Sequence, residues 1–179
     1  MICIVGESGA GKTTVQRILC QKDPSYHPLI TYTTRLPRRN EKDSVDYHFI
    51  SEEEYNKMSD KFCEEAVYNN WHYSTATEDC TEDTVAVVTP HGLRQFKKNH
   101  INVTSFYLFI PRRDRLIKLL ERGDDIEEAY RRSLSDVGQF DGIRDEVDYT
   151  ICNPEYTLKP EEIAGLIIER MKGKWVGKR

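Results

Sequence analysis

The chain opens with a short apolar segment that runs directly into a glycine-rich loop. Residues 1–5 (MICIV) are rich in β-branched side chains and end at a glycine, which indicates a buried strand. Gly6–Thr13 (GESGAGKT) then satisfies the pattern GxxxxGK(S/T), and a helical stripe through Val15, Ile18 and Leu19 follows. This order of elements constrains the fold strongly, because such a loop forms a phosphate cradle between a strand and the N-terminus of a helix.

The chemistry of this loop points to a nucleoside triphosphate. Glycines let successive backbone N–H groups point at phosphate oxygens, and the dipole of the following helix favours an anion. Lys12 supplies a mobile charge for the β- and γ-phosphates, and the Thr13 hydroxyl is the candidate Mg²⁺ ligand. The predicted ATP-binding residues of the loop are Gly6, Glu7, Ser8, Gly9, Ala10, Gly11, Lys12, Thr13 and Thr14.

Further along the chain, apolar runs typical of buried strands alternate with amphipathic helical segments. The strand candidates are residues 29–33, 47–50, 84–89, 103–110 and 148–152, and the helical segments are about 91–98, 113–122, 125–145 and 160–172. Ser51 and Glu54 form a capping box that predicts a short helix to about Met58. The alternation predicts a three-layer α/β/α fold of the P-loop NTPase type with a parallel central sheet.

Composition limits the classes of protein and partner. The 179 residues fit one compact unit, and 26 Lys+Arg against 30 Asp+Glu argue against general nucleic-acid or membrane-surface binding. We expect no membrane span and no signal peptide. Five scattered cysteines, an odd number, indicate reduced, mostly structural thiols in a cytoplasmic protein. Cys63, His72 and Cys80 lack the paired spacing that would support a metal site.

The segment Thr31–Phe49 (TYTTRLPRRNEKDSVDYHF) concentrates positive charge in an acidic protein. Together with the phosphate loop, it resembles the guanylate kinase family, whose loop reads GPSGAGKS/T and whose second motif reads STTRxPRxGExxGxDYxF. The resemblance covers nearly the whole chain, to the final DYTICN strand. It implies a single domain, residues 1–179, made of a core (1–30, 84–112 and 136–179), a small GMP-binding insertion (31–83) and a helical lid (113–135).

The resemblance also implies which residues bind the nucleotides. Arg35 and Arg38 would grip the phosphate of GMP with planar guanidinium forks, while Arg39 falls at a variable position. Glu64 would accept hydrogen bonds from N1–H and the 2-amino group of guanine, which adenine does not offer in that arrangement. Asn153 would lie near the adenine of ATP. The implied GMP-binding set is Thr31, Arg35, Arg38, Glu41, Tyr47, Glu64, Tyr73 and Thr75.

Phosphoryl transfer needs cations around the transferred group, and the lid is expected to supply some of them. Aligning the family's RLxxRG pattern on Arg122 places Lys118 on its first arginine and Ser133 on a later one. We therefore expect Arg122 and either Arg131 or Arg132 to neutralise the developing charge. The implied catalytic residues are Lys12, Arg38, Lys118, Arg122, Arg131 and Arg132.

Two further departures concern the metal and the acceptor base. The family usually ends the strand after the insertion with an aspartate near Mg²⁺, whereas this chain has Thr89. Metal binding would then depend on Thr13, water and the phosphates. The segment between Thr75 and Thr89 is shorter than is typical of the family and is acidic, so we expect an altered wall around the base.

The predicted reaction is transfer of the γ-phosphoryl group of MgATP to GMP or dGMP, with Mg²⁺ as cofactor and closure of the insertion and lid over both substrates. The expected partners are these two nucleotides, with no nucleic acid and no membrane, for a monomer or homodimer. Two alternatives are another acceptor, either a different nucleotide or a ribose bisphosphate, and a non-catalytic phosphopeptide-binding module. Glu64 and Tyr73 argue against a sugar acceptor, and the intact Gly11-Lys12-Thr13 argues against the module.

Overall fold

The computed structural model describes residues 1–37, 41–68 and 70–173 of the chain. Within them the strands are β1 (Ile2–Val5), β2 (His27–Pro28), β3 (Tyr32–Thr33), β4 (His48–Phe49), β5 (Phe62–Tyr68), β6 (Trp71–Ala76), β7 (Thr84–Val88), β8 (Thr104–Phe109) and β9 (Tyr149–Cys152). The α-helices are α1 (Lys12–Lys22), α2 (Glu52–Met58), α3 (Pro90–Lys98), α4 (Arg112–Glu121), α5 (Ile126–Ser135), α6 (Ile143–Glu146) and α7 (Pro160–Met171). None of the helices described is long and apolar enough to cross a membrane.

The central sheet has five strands in the order β2-β7-β1-β8-β9, and every pairing is parallel. Its middle strand, β1, pairs Ile2 with Val85 of β7 and with Thr104 of β8. The strand is buried along its whole length, as the apolar run at the start of the chain predicts. All carboxyl ends of the sheet therefore point to one edge, where the phosphate loop follows β1.

Side chains of β1 alternate between two helical layers. Ile2 and Ile4 pack in a core with residues of α1 and α7, such as Leu19 and Ile167. Cys3 and Val5 belong to the opposite core, which includes Leu93 and Phe96 of α3. The chain is thus a three-layer α/β/α fold around a parallel sheet, which confirms the predicted fold class.

A second, four-stranded sheet in the order β4-β3-β6-β5 lies within the residues that the sequence marks as an insertion. The sequence patterns did not predict its main feature, the antiparallel hairpin of β5 and β6, which turns at Asn70 with a φ of 64°. Of the predicted strand over residues 29–33, only Tyr32–Thr33 forms a strand, which is β3 of the second sheet, while β2 lies before this range and pairs with β7 of the central sheet. The predicted capping box of Ser51 and Glu54 is confirmed at the start of α2.

The lid region contains α4 and α5, but the predicted single helix over residues 125–145 is wrong. Helix α5 ends at Ser135, and Gly138 and Gly142 adopt left-handed backbone conformations with φ of 78° and 75°. Such conformations are favourable for glycine and interrupt a helix. The segment after α5 turns back toward the phosphate loop before the short helix α6 begins.

Candidate active site

The phosphate loop lies at the carboxyl end of β1 and leads into the N-terminus of α1. Gly9 and Gly11 have φ of 84° and 81°, a region that side chains disfavour. Gly6 fits close to β8, since a Cβ there would lie 3.0 Å from the carbonyl oxygen of Leu108. The motif glycines thus shape the loop so that its N–H groups can face an anion at a helix N-terminus.

Lys12 is folded back onto the loop. Its Nζ donates to the carbonyl oxygens of Gly6 (2.6 Å) and Glu7 (3.0 Å). Burial lowers the pKa of Lys12 to about 8, although Asp136 and Glu7 oppose that shift. A phosphate entering the loop would give this ammonium group a charged partner in place of two neutral carbonyl groups.

A cleft of about 570 Å³ opens beside the loop, and we call it the donor cleft. Of the predicted ATP-binding residues, Ser8 to Thr14 and Asn153 line it, while Gly6 and Glu7 do not. Three predicted lid cations, Lys118, Arg122 and Arg132, line the same cleft, so residues far apart in the chain surround one space.

The four lid cations proposed from the sequence differ in where they point. Arg122 is paired with Asp124 (2.7 Å from Nε to Oδ1), and Arg132 is paired with Glu128 (2.7 Å) at the cleft. Arg131 also forms an ion pair with Glu128, but its side chain is 67% exposed to solvent. Arg131 is absent from the lining of the donor cleft, so the structure places Arg132 closer to the site than its neighbour.

The residues around Thr13 fit a magnesium ion held mainly by phosphate and water. Thr13 lines the donor cleft, and its hydroxyl makes no hydrogen bond with any described residue. The Thr89 hydroxyl, by contrast, accepts from the Gly92 N–H (3.1 Å) as the N-cap of α3. Mg²⁺ commonly keeps several water ligands and takes few from the protein, so one hydroxyl beside two phosphates suits it.

Asn153 is buried, and its side-chain amide is already used within the chain. Its Oδ1 accepts from the Leu158 N–H (2.7 Å), and its Nδ2 donates to the Leu158 carbonyl (2.9 Å). Leu158 also lines the donor cleft. Asn153 therefore positions the wall of the cleft through the turn after β9, and its place near the adenine of ATP stays a prediction.

A second cavity of about 590 Å³ lies on the other side of the loop, and sequence analysis missed its cations. Arg112, Arg115 and Arg144 line it, as does the Glu7 side chain. Arg112 donates to the Ser133 hydroxyl (2.8 Å), and the described residues offer it no carboxylate partner. The Arg112 guanidinium thus contacts residue 133, the sequence position at which the family pattern has an arginine.

Arg115 and Asp136 join the lid to the phosphate loop. Arg115 is 6% exposed and donates to the Ser8 carbonyl (3.1 Å) and the Ile110 carbonyl (3.0 Å). Asp136, just after α5, accepts from the Ser8 N–H at 2.8 Å. The carboxylate of Asp136 therefore occupies a loop N–H, a type of group that binds anions in such loops.

The predicted acceptor residues of the second sheet form a cluster around Arg35. Both oxygens of Glu41 accept from its guanidinium at 2.9 Å, and its Nε donates to the Tyr73 hydroxyl (3.1 Å). The guanidinium lies 5.4 Å from the centre of the Tyr47 ring. Nη1 also donates to the Leu36 carbonyl (2.8 Å), so Glu41 fixes the orientation of the guanidinium and a phosphate could bind it only through the second N–H of Nη2 or by displacing one of these partners.

Glu64 and Thr75 form a second cluster of predicted acceptor residues, where β5 and β6 face α3. The Thr75 hydroxyl donates to Glu64 Oε2 at 3.1 Å. A Cβ at Gly92 would lie 3.1 Å from Glu64 Oε1, so glycine leaves room for the carboxylate. Burial raises the pKa of Glu64, although the hydrogen bond from Thr75 opposes that shift, so further donors from a bound base would stabilise the charged form.

The two remaining predicted acceptor residues are Thr31 and Arg38. Thr31 directly precedes β3, and its carbonyl accepts from the His48 N–H at 2.9 Å. Arg38 lies outside the described residues. Arg38 therefore stays a prediction in both its GMP-binding and its catalytic role.

Comparison with known proteins places these features in a family. The family model described as guanylate kinase matches residues 1–157. Guanylate kinases of Helicobacter pylori and Prochlorococcus marinus are each 30% identical, over 96% and 93% of this chain and 89% and 96% of their own lengths. The crystal structure of guanylate kinase from Anaplasma phagocytophilum superposes with a TM-score of 0.67 at 19% identity, covering 99% of this chain and 87% of that one. A shikimate kinase from Acinetobacter baumannii shares the fold, with a TM-score of 0.53 at 14% identity, over 98% of this chain and 94% of its own.

Proposed function

The chain belongs to the guanylate kinase family, an enzyme family of nucleoside monophosphate kinases, and on that premise we propose that it transfers the γ-phosphoryl group of MgATP to GMP or dGMP. The products are ADP and GDP or dGDP. We further infer a cytoplasmic enzyme whose partners are these small nucleotides. The domain division into a core, an acceptor-binding insertion and a lid belongs to the same proposal.

One observation carries the proposal: the chain holds two separate sets of anion-binding groups of different design. The donor cleft combines loop N–H groups with Lys12 and lid cations. The Arg35 cluster presents a guanidinium that Glu41 orients beside the Tyr73 hydroxyl and the Tyr47 ring, a small cationic site that suits one phosphate group. The Glu64 carboxylate beside Thr75 then suits the paired N–H donors of guanine.

In the proposed mechanism the protein aligns two nucleotides and forms no covalent bond with either. Lys12 exchanges its contacts with the Gly6 and Glu7 carbonyls for contacts with the β- and γ-phosphates. Arg132, Arg122 and Lys118 approach the transferred group from the lid and neutralise its charge. Magnesium, held by Thr13 and phosphate oxygens, would contribute charge neutralisation. Closure excludes water, which would otherwise accept the phosphoryl group.

Acceptor choice is the sharpest test of this function. ADP formation from MgATP would be measured with GMP, dGMP, AMP, CMP, UMP and ribose 1,5-bisphosphate, each at the same concentrations. We expect GMP or dGMP to give the highest kcat/KM, because only guanine offers paired donors to the half-buried Glu64 carboxylate. Equal rates with all acceptors would overturn the proposal, and a preference for ribose bisphosphate would establish the alternative kinase.

A further inference from the structure

Cys63 and Cys80 form a close pair of thiols that the proposed reaction does not use. Their sulfur atoms lie 3.5 Å apart, although the residues are 17 positions apart in the chain. Both are free cysteines, and Cys63 is 3% exposed while Cys80 is half-buried. A disulfide needs sulfur atoms about 2.05 Å apart, so a shift of roughly 1.5 Å would be enough to join them.

The surroundings of the pair do not suggest a metal site. No group of three or more histidine, cysteine or acidic residues in the described part of the chain could hold a metal ion. His72, the third residue considered from the sequence, instead stacks on the Tyr55 ring at 4.2 Å between centroids. Two thiols within contact distance and without further metal ligands among the described residues are arranged to form a disulfide.

The pair lies directly beside the end of the acceptor site that would read the base. Cys63 precedes Glu64 in β5, at a register irregularity between Phe62 and Glu64. The Cys63 thiol donates to the Thr75 carbonyl at 3.4 Å, and the Thr75 hydroxyl donates to Glu64. A change at the Cys63 sulfur is therefore transmitted through one residue to both groups that would contact guanine.

We propose that Cys63 and Cys80 are a modification site at which a peroxide closes an intramolecular disulfide and thereby weakens the acceptor site. The disulfide itself is independent of the proposed function, whereas its effect on GMP binding rests on that function.

The chemistry balances with the peroxide as the oxidant. One thiol takes an oxygen atom from hydrogen peroxide to become a sulfenic acid, and one water leaves. The second thiol attacks that sulfur, the S–S bond forms, and the oxygen leaves as a second water. Two electrons pass from the sulfurs to the peroxide, and both thiol protons end in water.

The local environment supports this reactivity. A hydrogen bond from Cys80 lowers the pKa of the Cys63 thiol, whereas the same pairing and burial raise the pKa of Cys80. The thiolate, which is the reactive form, is thus favoured at Cys63. The pair opens toward solvent on the Cys80 side, next to the exposed residues Thr77 and Glu78, so a small peroxide can enter there.

Disulfide formation is measured directly by mass spectrometry after graded hydrogen peroxide and alkylation. The two cysteines fall in one tryptic segment between Lys61 and Arg94, so cleavage must be made after Glu64, Glu65 and Glu78 instead. We expect linked peptides from the wild type and from Cys20→Ser and Cys152→Ser, but none from Cys80→Ser or Cys63→Ala. Absence of the link, or oxidation of Cys63 and Cys80 to separate sulfinic acids, overturns the proposal.

The consequence is measured on the same oxidised sample. We expect the KM for GMP to rise about tenfold, the effect of one lost hydrogen bond, with the KM for ATP unchanged and full recovery after a dithiol reductant. Cys63→Ala, which has no sulfur to oxidise beside Thr75, should keep its own KM for GMP after peroxide. An unchanged KM with the disulfide formed refutes the coupling. A wild type with no GMP kinase activity refutes the proposed function, while the mass measurement still decides the disulfide.

Discussion

Lys12 shows at the residue scale how the loop holds a cation before substrate arrives. Two backbone carbonyls take its ammonium group, and burial lowers its pKa to about 8. The charged form that ATP needs is thus present below pH 8 and is progressively lost above it. Binding of ATP must then draw a proton from solution at higher pH.

We expect the affinity for MgATP to fall by about tenfold per pH unit above pH 8, as proton linkage requires. Calorimetric titrations between pH 7 and 9.5 would measure the dissociation constant. Lys12→Arg is the control, because its guanidinium stays charged throughout. The Lys12→Arg variant should bind MgATP more weakly than the wild type, but its affinity should not fall with pH in this range. The same slope in the arginine variant would contradict the assignment to Lys12.

Arg131 and Arg132 form a matched pair for testing the lid, since both bind Glu128 at 2.7 Å. Only Arg132 lines the donor cleft. We expect Arg132→Ala to lower kcat by about 10²- to 10³-fold, because it removes a cation that would face the transferred group. The kcat of Arg131→Ala should remain near that of the wild type. An equal decrease in kcat for the two variants would show that the ion pairs with Glu128, and not the charge at the cleft, determine the rate.

Glu64 is a further single residue with a large expected effect, because its carboxylate would determine which base is accepted. Replacing it with glutamine removes a charge-assisted hydrogen bond, which costs about 1.5–3 kcal/mol, or roughly 10- to 150-fold in the KM for GMP. Initial rates at varied GMP and varied ATP would separate this effect from ATP binding. Glu65→Gln is the neighbouring control, since Glu65 is exposed. An equal rise in both KM values for Glu64→Gln would mark it as structural.

At the scale of elements, the junction after α5 is what periodicity alone could not predict. The amphipathic pattern continues to about residue 145, but the chain leaves the helix at Asp136. The reason is tertiary: the Asp136 carboxylate binds the Ser8 N–H, and Arg115 lies between the two segments. Gly138 and Gly142 were the local signals that a helix would end here.

This junction has a measurable energetic consequence. Asp136→Ala leaves Arg115 with one carboxylate fewer and Ser8 without its acceptor, which should cost about 1–3 kcal/mol of unfolding free energy. Urea denaturation measures that cost, and hydrogen exchange should quicken at the phosphate loop. Asp141→Ala changes an exposed acid of the same segment and should stay within about 0.5 kcal/mol of the wild type. A loss as large for Asp141→Ala would refute a specific role for Asp136.

At the scale of the whole molecule, the residues predicted to bind ATP and those predicted to bind GMP lie on different sheets. The phosphate loop follows the central sheet, whereas Arg35, Tyr73 and Glu64 lie on or next to the second sheet. In-line transfer needs reacting atoms about 3–3.5 Å apart, so the two parts must approach one another when both substrates bind. The second sheet and the lid are the elements expected to move.

We therefore expect the radius of gyration to decrease when an analogue that joins both nucleosides through a polyphosphate is added. Small-angle X-ray scattering would measure it with no ligand, with ATP alone and with the analogue. ATP alone should give a smaller change, because the acceptor side remains empty. Lys12→Ala should show little change with the analogue. An unaltered radius in the wild-type complex would contradict closure.

The amino-acid sequence alone is enough to predict the phosphate loop, the parallel sheet and the capped start of α2. Each depends on residues that are contiguous or regularly spaced, so backbone geometry and periodicity are enough to specify them. It also brought out Glu41 and Arg35, six positions apart, as members of one motif.

Which arginines and lysines line which cavity depends on contacts between residues far apart in the chain. Arg112 reaches Ser133 across 21 positions, Asp136 reaches Ser8 across 128, and Cys63 meets Cys80 across a hairpin. Such pairs arise where packed elements bring distant side chains together, and no local pattern encodes the directions in which those side chains point. The hairpin of β5 and β6 is set in the same way, by its pairing with β3 and its packing on α3.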